Sequence, residues 1–84
     1  MDINKVFVGS LPDDLTDKKF KAMFKRFGSI VEALIVTDKY SHKTKNFGYV
    51  TFLDRKDAEK AIKAMDQTEI QGKKMLVTFA KKGS

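Results

Sequence analysis

Six stretches of patterned apolar residues alternate between strand and helix periods along the chain. VFVG, Val6 to Gly9, is a β-favouring run closed by a glycine, and the turn-rich LPDDLTD follows it. Phe20, Met23, Phe24 and Phe27 then recur at three-to-four spacing, with Thr16 placed to cap the helix, Asp17 in its first turn and Gly28 to stop it. Lys19 stands where a capping box would have an acid. IVEALIVT, Ile30 to Thr37, is branched and long enough for a second strand. After the polar loop DKYSHKTK, KNFGYVTF at 45–52 reads as a third. Asp54 as N-cap, with Asp57 three residues on, opens a second helix whose stripe is Ala58, Ala61, Ile62 and Met65. DQTEIQG is a connector anchored by Ile70, and KMLVTFA, Lys74 to Ala80, is the last strand.

The order β-α-β-β-α-β repeats strand, helix, strand at about 6–37 and 47–80, which predicts two crossover units meeting in one sheet. The fold class is therefore α+β: a ferredoxin-like sandwich, a four-stranded antiparallel sheet with two helices on one face. The 84 residues make a single domain over 1–84, with its core at about 5–81. Two helices on one face leave the other face uncovered. Alternation along the third strand decides what lies there. With Val50 and Phe52 inward, Gly48 also faces the helices, where a close approach suits it, and Phe47, Tyr49 and Thr51 face out. The opposite register would expose Phe52 instead, so either one leaves a large ring outside. Val6 and Val8 inward place Phe7 beside those rings. The same alternation sends Glu32, Leu34 and Val36, and Leu76 and Thr78, to the open face.

Charge sharpens this picture. Of the net charge of +6, residues 1–38 contribute nothing, with six Lys/Arg against six Asp/Glu, whereas 39–84 hold eleven against five. A localised basic surface attracts a polyanion, although a solvated lysine face explains the charge alone equally well. Contiguous exposed rings mark a binding surface, and bases are flat partners for them. Lys45, Lys39, Lys43, Lys81 and Lys82 are candidate phosphate contacts around the rings, and Lys5 heads the first strand. Glu32 opposes phosphate but accepts from a base amino group. Leu34, Leu76 and Thr78 edge the platform, touching bases or trimming it. Lys18, Lys19, Lys21, Lys25 and Arg26 lie on or beside the first helix, away from the open sheet face, and read as a solvated face. Rings of this kind also anchor apolar peptides, so a protein partner is the rival occupant.

KNFGYVTF resembles the RNP1 signature of the RNA recognition motif, and VFVGSL at 6–11 resembles its RNP2 signature, in matching order and separation. The resemblance implies Phe7 and Phe47 as base-stacking rings, Tyr49 inserting between sugars or supporting a base, Lys45 on the phosphate backbone, and Val6, Val8, Val50 and Phe52 in the core. Three positions depart from the pattern: Asn46 replaces a usual glycine, Ser10 a usual asparagine, and His42 a frequent glycine in the loop.

The absence of cysteine and the single histidine exclude disulfides, thiolate metal sites and histidine zinc clusters. Asp13 and Asp14 are explained by local capping, and Ser10, Ser29 and Ser41 have no relay partner, so the chain is read as no enzyme and as needing no cofactor. No apolar run reaches membrane-spanning length. The expected partner is single-stranded RNA. Single-stranded DNA meets the same stacking and phosphate demands, and a protein can still engage the helical face. In isolation a monomer is expected, in the nucleus or cytoplasm, the nucleus being slightly favoured.

Overall fold

The structure, a computed structural model, describes residues 4–12, 14–37 and 44–80, and of Thr37, Thr44, Lys45 and Asn46 the backbone alone. The elements are β1 (Lys5–Gly9), α1 (Asp17–Lys25), β2 (Ile30–Thr37), β3 (Thr44–Phe52), α2 (Arg55–Met65), β4 (Glu69–Ile70), β5 (Lys73–Lys74) and β6 (Leu76–Phe79). β2, β3, β1 and β6 form the antiparallel sheet in that spatial order, as the β-α-β-β-α-β pattern predicts. β1 and β3, which carry the three candidate rings, are the adjacent central strands.

One face of the sheet packs on the helices. Val6 and Val8 of β1, Val50 and Phe52 of β3 and Val77 of β6 interlock with Phe20 and Phe24 of α1 and with Ala58, Ala61 and Met65 of α2. Leu11, beyond β1, and Met75, ahead of β6, complete this core and are fully buried. Thr16 caps α1 as expected, its hydroxyl accepting from the Lys19 amide at 3.2 Å. Asp54 occupies the N-cap of α2, and its carbonyl accepts from the Ala58 amide, but its carboxylate makes no capping bond. Asp57 instead lies against Gly28, where a Cβ would collide with its side chain.

The last strand is shorter than the sequence suggests. Gln67 donates its amide to the Met75 carbonyl at 2.8 Å, and Met75 donates to Thr68 at 2.9 Å, which turns Met75 away from regular pairing. Lys74 pairs with Glu69 and Lys73 with Ile70, so the supposed connector is a small hairpin, with Ile70 half-buried against the core. Its two-residue turn is Gln71-Gly72, with φ of 49° and 83°. Positive φ at both positions is the type I′ arrangement that fits the strand twist and favours Asn-Gly. Gln71→Asn is expected to stabilise the domain by about 0.5 kcal/mol, a rise of roughly 2–4 °C in Tm by calorimetry. An unchanged or lower Tm would count against this turn.

The two edge strands are each met by a carboxylate. The Ile35 amide of β2 donates to Asp17 Oδ1 at 3.1 Å, and the Val77 amide of β6 donates to Asp66 Oδ1 at 3.0 Å. Both acids stand at helix ends, Asp17 as the first residue of α1 and Asp66 as the C-cap of α2.

Candidate nucleic-acid interface

Alternation holds along β3: Gly48, Val50 and Phe52 are buried, while Phe47, Tyr49 and Thr51 are half-buried on the other face. Among the described residues no helix covers that face. Phe7 pairs directly with Tyr49 across the β1–β3 ladder, and Gly9 pairs with Phe47. The ring centroids of Phe7 and Phe47 are 5.6 Å apart, those of Phe7 and Tyr49 5.7 Å, and those of Phe47 and Tyr49 6.1 Å. The Phe7 and Phe47 planes are inclined by only 35°, whereas Tyr49 stands edge-on to both. Two adjacent rings tilted this little toward one another offer faces for stacking, and the third borders them.

Gly9 makes this arrangement fit. A Cβ built there would lie 3.1 Å from Cε1 of Phe7 and 3.7 Å from Cβ of Leu76, so the bare backbone lets the Phe7 ring lie along its own strand beside Phe47. In the sequence Gly9 reads only as the close of a strand. Its signal is a glycine still within the ladder, a position that often marks close approach.

Gly48 meets the close helix approach expected of it, and a still tighter one from the neighbouring strand. Its missing Cβ would meet the Phe20 ring of α1 at 3.1 Å and the Ile35 Cα of β2 at 3.2 Å, but the Leu34 carbonyl oxygen of β2 at only 2.5 Å. The neighbouring strand, more than the helix, requires glycine. Just beyond it the ladder is irregular: the step from Ile35 to Thr37 faces the longer step from Gly48 to Thr44. Asn46, the departure from the RNP1 pattern, lies within that irregular stretch. Ser10, the departure from RNP2, adopts φ 61°, a left-handed conformation that asparagine and glycine accept more readily than serine.

Around the rings, Leu34 pairs with Tyr49, Thr78 with Phe7 and Leu76 with Gly9. Leu76 is 49% exposed and Thr78 is exposed, while Leu34 is half-buried. Lys5 places its ammonium 4.6 Å from the Tyr49 ring centroid, a cation–π contact that ties this lysine to the platform. Lys45 lies in β3. Lys39, Lys43, Lys81 and Lys82, like Asp13, Ser41 and His42, lie outside the described residues. At the C-cap of α1, Arg26 departs from the solvated set: its guanidinium sits 4.8 Å from the Phe27 ring centroid, and Nη2 donates to Met65 Sδ at 3.5 Å. Among the described residues no group of three or more His, Asp or Glu can hold a metal ion, and no helix is long and apolar enough to cross a membrane.

The comparisons with known proteins agree with this geometry. The chain is 40% identical over 80 residues to RNA-binding protein 38 of Gallus gallus, an alignment covering 95% of this chain and 37% of that protein. It is equally similar to RNA-binding protein 24 of Homo sapiens, covering 95% and 34%. The chain thus spans about a third of the length of these relatives. Among solved structures, a Sxl-lethal protein/RNA complex superposes with a TM-score of 0.92 at 27% identity, covering 96% of this chain and 48% of that one. The family model described as RNA recognition motif matches residues 6–76. With that match spanning most of its length, and with both ring-bearing strands inside it, the chain belongs to the RNA recognition motif family, a non-catalytic class of domain.

Proposed function

We propose that this domain binds single-stranded RNA on the open face of its sheet, stacking bases on Phe7 and Phe47 while lysines at the margin meet the phosphates. The observation that carries this reading is the cluster of Phe7, Phe47 and Tyr49 on the uncovered face, all three centroids within 5.6–6.1 Å of one another. A core does not require this cluster, because Val6, Val8, Val50 and Phe52 already fill the opposite face. Relatives named as RNA-binding proteins, and a structural neighbour solved in complex with RNA, support the choice of ligand.

Bases must be unpaired to reach such a platform, so the mechanism separates single strands from duplexes. Phe7 and Phe47 offer ring faces, and Tyr49, held edge-on beneath the Lys5 ammonium, supports the adjacent nucleotide. Lys45, Lys39, Lys43, Lys81 and Lys82 supply the phosphate contacts. Single-stranded DNA meets the same rings and charges and competes for the face.

Fluorescence anisotropy with a randomised single-stranded RNA octamer tests this. Binding is expected for the single strand, with a duplex of equal length weaker by an order of magnitude or more. Five phosphate contacts limit the slope of log K against log salt to about −3.5. Equal binding of the duplex, or a much steeper slope, would assign binding to backbone charge and remove the sheet from the mechanism.

A further inference from the structure

The open face is ordered in rows, and the row beyond the rings is polar. Lys5 of β1 pairs with Thr51 of β3, and Thr51 pairs with Glu32 of β2. An ammonium, a hydroxyl and a carboxylate therefore follow one another across three adjacent strands. The outer two are separated by two strand spacings, roughly 10 Å between backbones. Both have long side chains: the Lys5 ammonium lies over the neighbouring Tyr49 ring, and Glu32 is exposed on the same face.

A local irregularity helps to set this row. Ile30 pairs with Phe52 and Glu32 with Thr51, so Val31 is an extra residue between them. Ile30 accordingly packs against the core, Val31 is 63% exposed, and Glu32 returns to the open face. Strict alternation would have put Ile30 and Glu32 on the same side. Bulges of this kind re-aim side chains. Among the described residues the Glu32 carboxylate makes no ion pair or hydrogen bond, and the Lys5 ammonium lies over Tyr49 without a carboxylate partner.

A carboxylate on a phosphate-binding surface repels the backbone of any nucleic acid and is useful there only toward a donor. Guanine alone among the four RNA bases presents two adjacent donors, N1–H and the N2 amino group, and both oxygens of a carboxylate can accept from them. Its O6 lies beside them as an acceptor for an ammonium or hydroxyl. Adenine and cytosine each offer one amino donor on that edge. Uracil offers N3–H between two carbonyl oxygens, which a carboxylate repels.

Resting on the single-stranded RNA reading, we infer that the Lys5–Thr51–Glu32 row is a guanine-selecting subsite beside the stacking rings. Glu32 accepts from N1–H and N2–H, and Lys5 donates to O6. The base next to those on Phe7 and Phe47 is thereby specified, while the rings themselves accept any base.

The test compares uridine heptamers with a single central guanosine, inosine, adenosine or cytidine, using anisotropy titrations of the whole chain. Inosine keeps N1–H and O6 and lacks only the 2-amino group. Guanosine is expected to bind about tenfold more tightly than inosine, the change that follows from losing one charge-assisted hydrogen bond. Glu32→Gln should reduce that ratio to less than about twofold, with affinity for all-uridine RNA kept or raised because a negative charge is gone. Glu32 is exposed, so the variant is expected to melt as the parent does. Equal binding of guanosine and inosine by the parent, a preference for adenosine or cytidine, or a ratio that survives Glu32→Gln would overturn the subsite while leaving RNA binding intact. Failure of every heptamer to bind would overturn the RNA reading together with it.

Discussion

Replacing Phe47 by alanine is expected to weaken binding of short single-stranded RNA about 5- to 150-fold, the range that corresponds to losing one base stacked on an aromatic ring. The ring lies on the open face and outside the buried core, so the loss should appear in affinity with little change in Tm. Phe7→Ala should act similarly, because the two rings lie 5.6 Å apart and form one surface. Tyr49→Ala should cost less, since that ring stands edge-on to both and carries the Lys5 ammonium over it. Anisotropy titration with calorimetry on the same samples checks all three. Undiminished affinity in Phe47→Ala, with RNA still bound, would move the contact away from these rings.

The second large effect is on folding. Gly48→Ala is expected to destabilise the domain by about 3 kcal/mol, lowering Tm by roughly 12–24 °C. Propensity argues the other way, because alanine loses less backbone entropy than glycine in a strand. The deciding fact is the Leu34 carbonyl, 2.5 Å from where the new Cβ would stand, with Ile35 Cα and the Phe20 ring close on its other sides. A carbonyl held in a sheet has no rotamer by which to withdraw. The β2–β3 ladder must therefore shift or open. A variant that melts within a few degrees of the parent would show that the ladder yields easily there. RNA affinity measured below the melting range separates this effect from that of Phe47, its immediate neighbour on the opposite face.

Much of this architecture was legible in the sequence because the two periods are cleanly separated. Phe20 and Phe24 at helical spacing, and Val6 and Val8 or Val50 and Phe52 at strand spacing, each signal one buried side. The ring cluster followed from alternation once β1 and β3 were neighbours. What escaped depends on relations between strands. Alternation within β2 does not reveal that Val31 is a bulge, because the bulge is defined by the pairing of Ile30 with Phe52 and Glu32 with Thr51. The β4–β5 hairpin was read as a connector because two residues on each side are too short to show a period. Its Gln-Gly turn was the available signal. Asp17 reads as a helix-end acid and Asp66 as part of a connector, and nothing local announced that their carboxylates reach to amides 18 and 11 residues away.

Those two acids also determine how the sheet meets other chains. An edge strand with free amides invites another strand to zip alongside it, in a second copy or in an extended peptide. Here the Ile35 and Val77 amides are already engaged, one on each rim. A guest strand would have to displace a carboxylate from an amide on either side before it could join the ladder. At either rim, extending the sheet past Ile35 or Val77 therefore starts with the loss of a charge-assisted hydrogen bond.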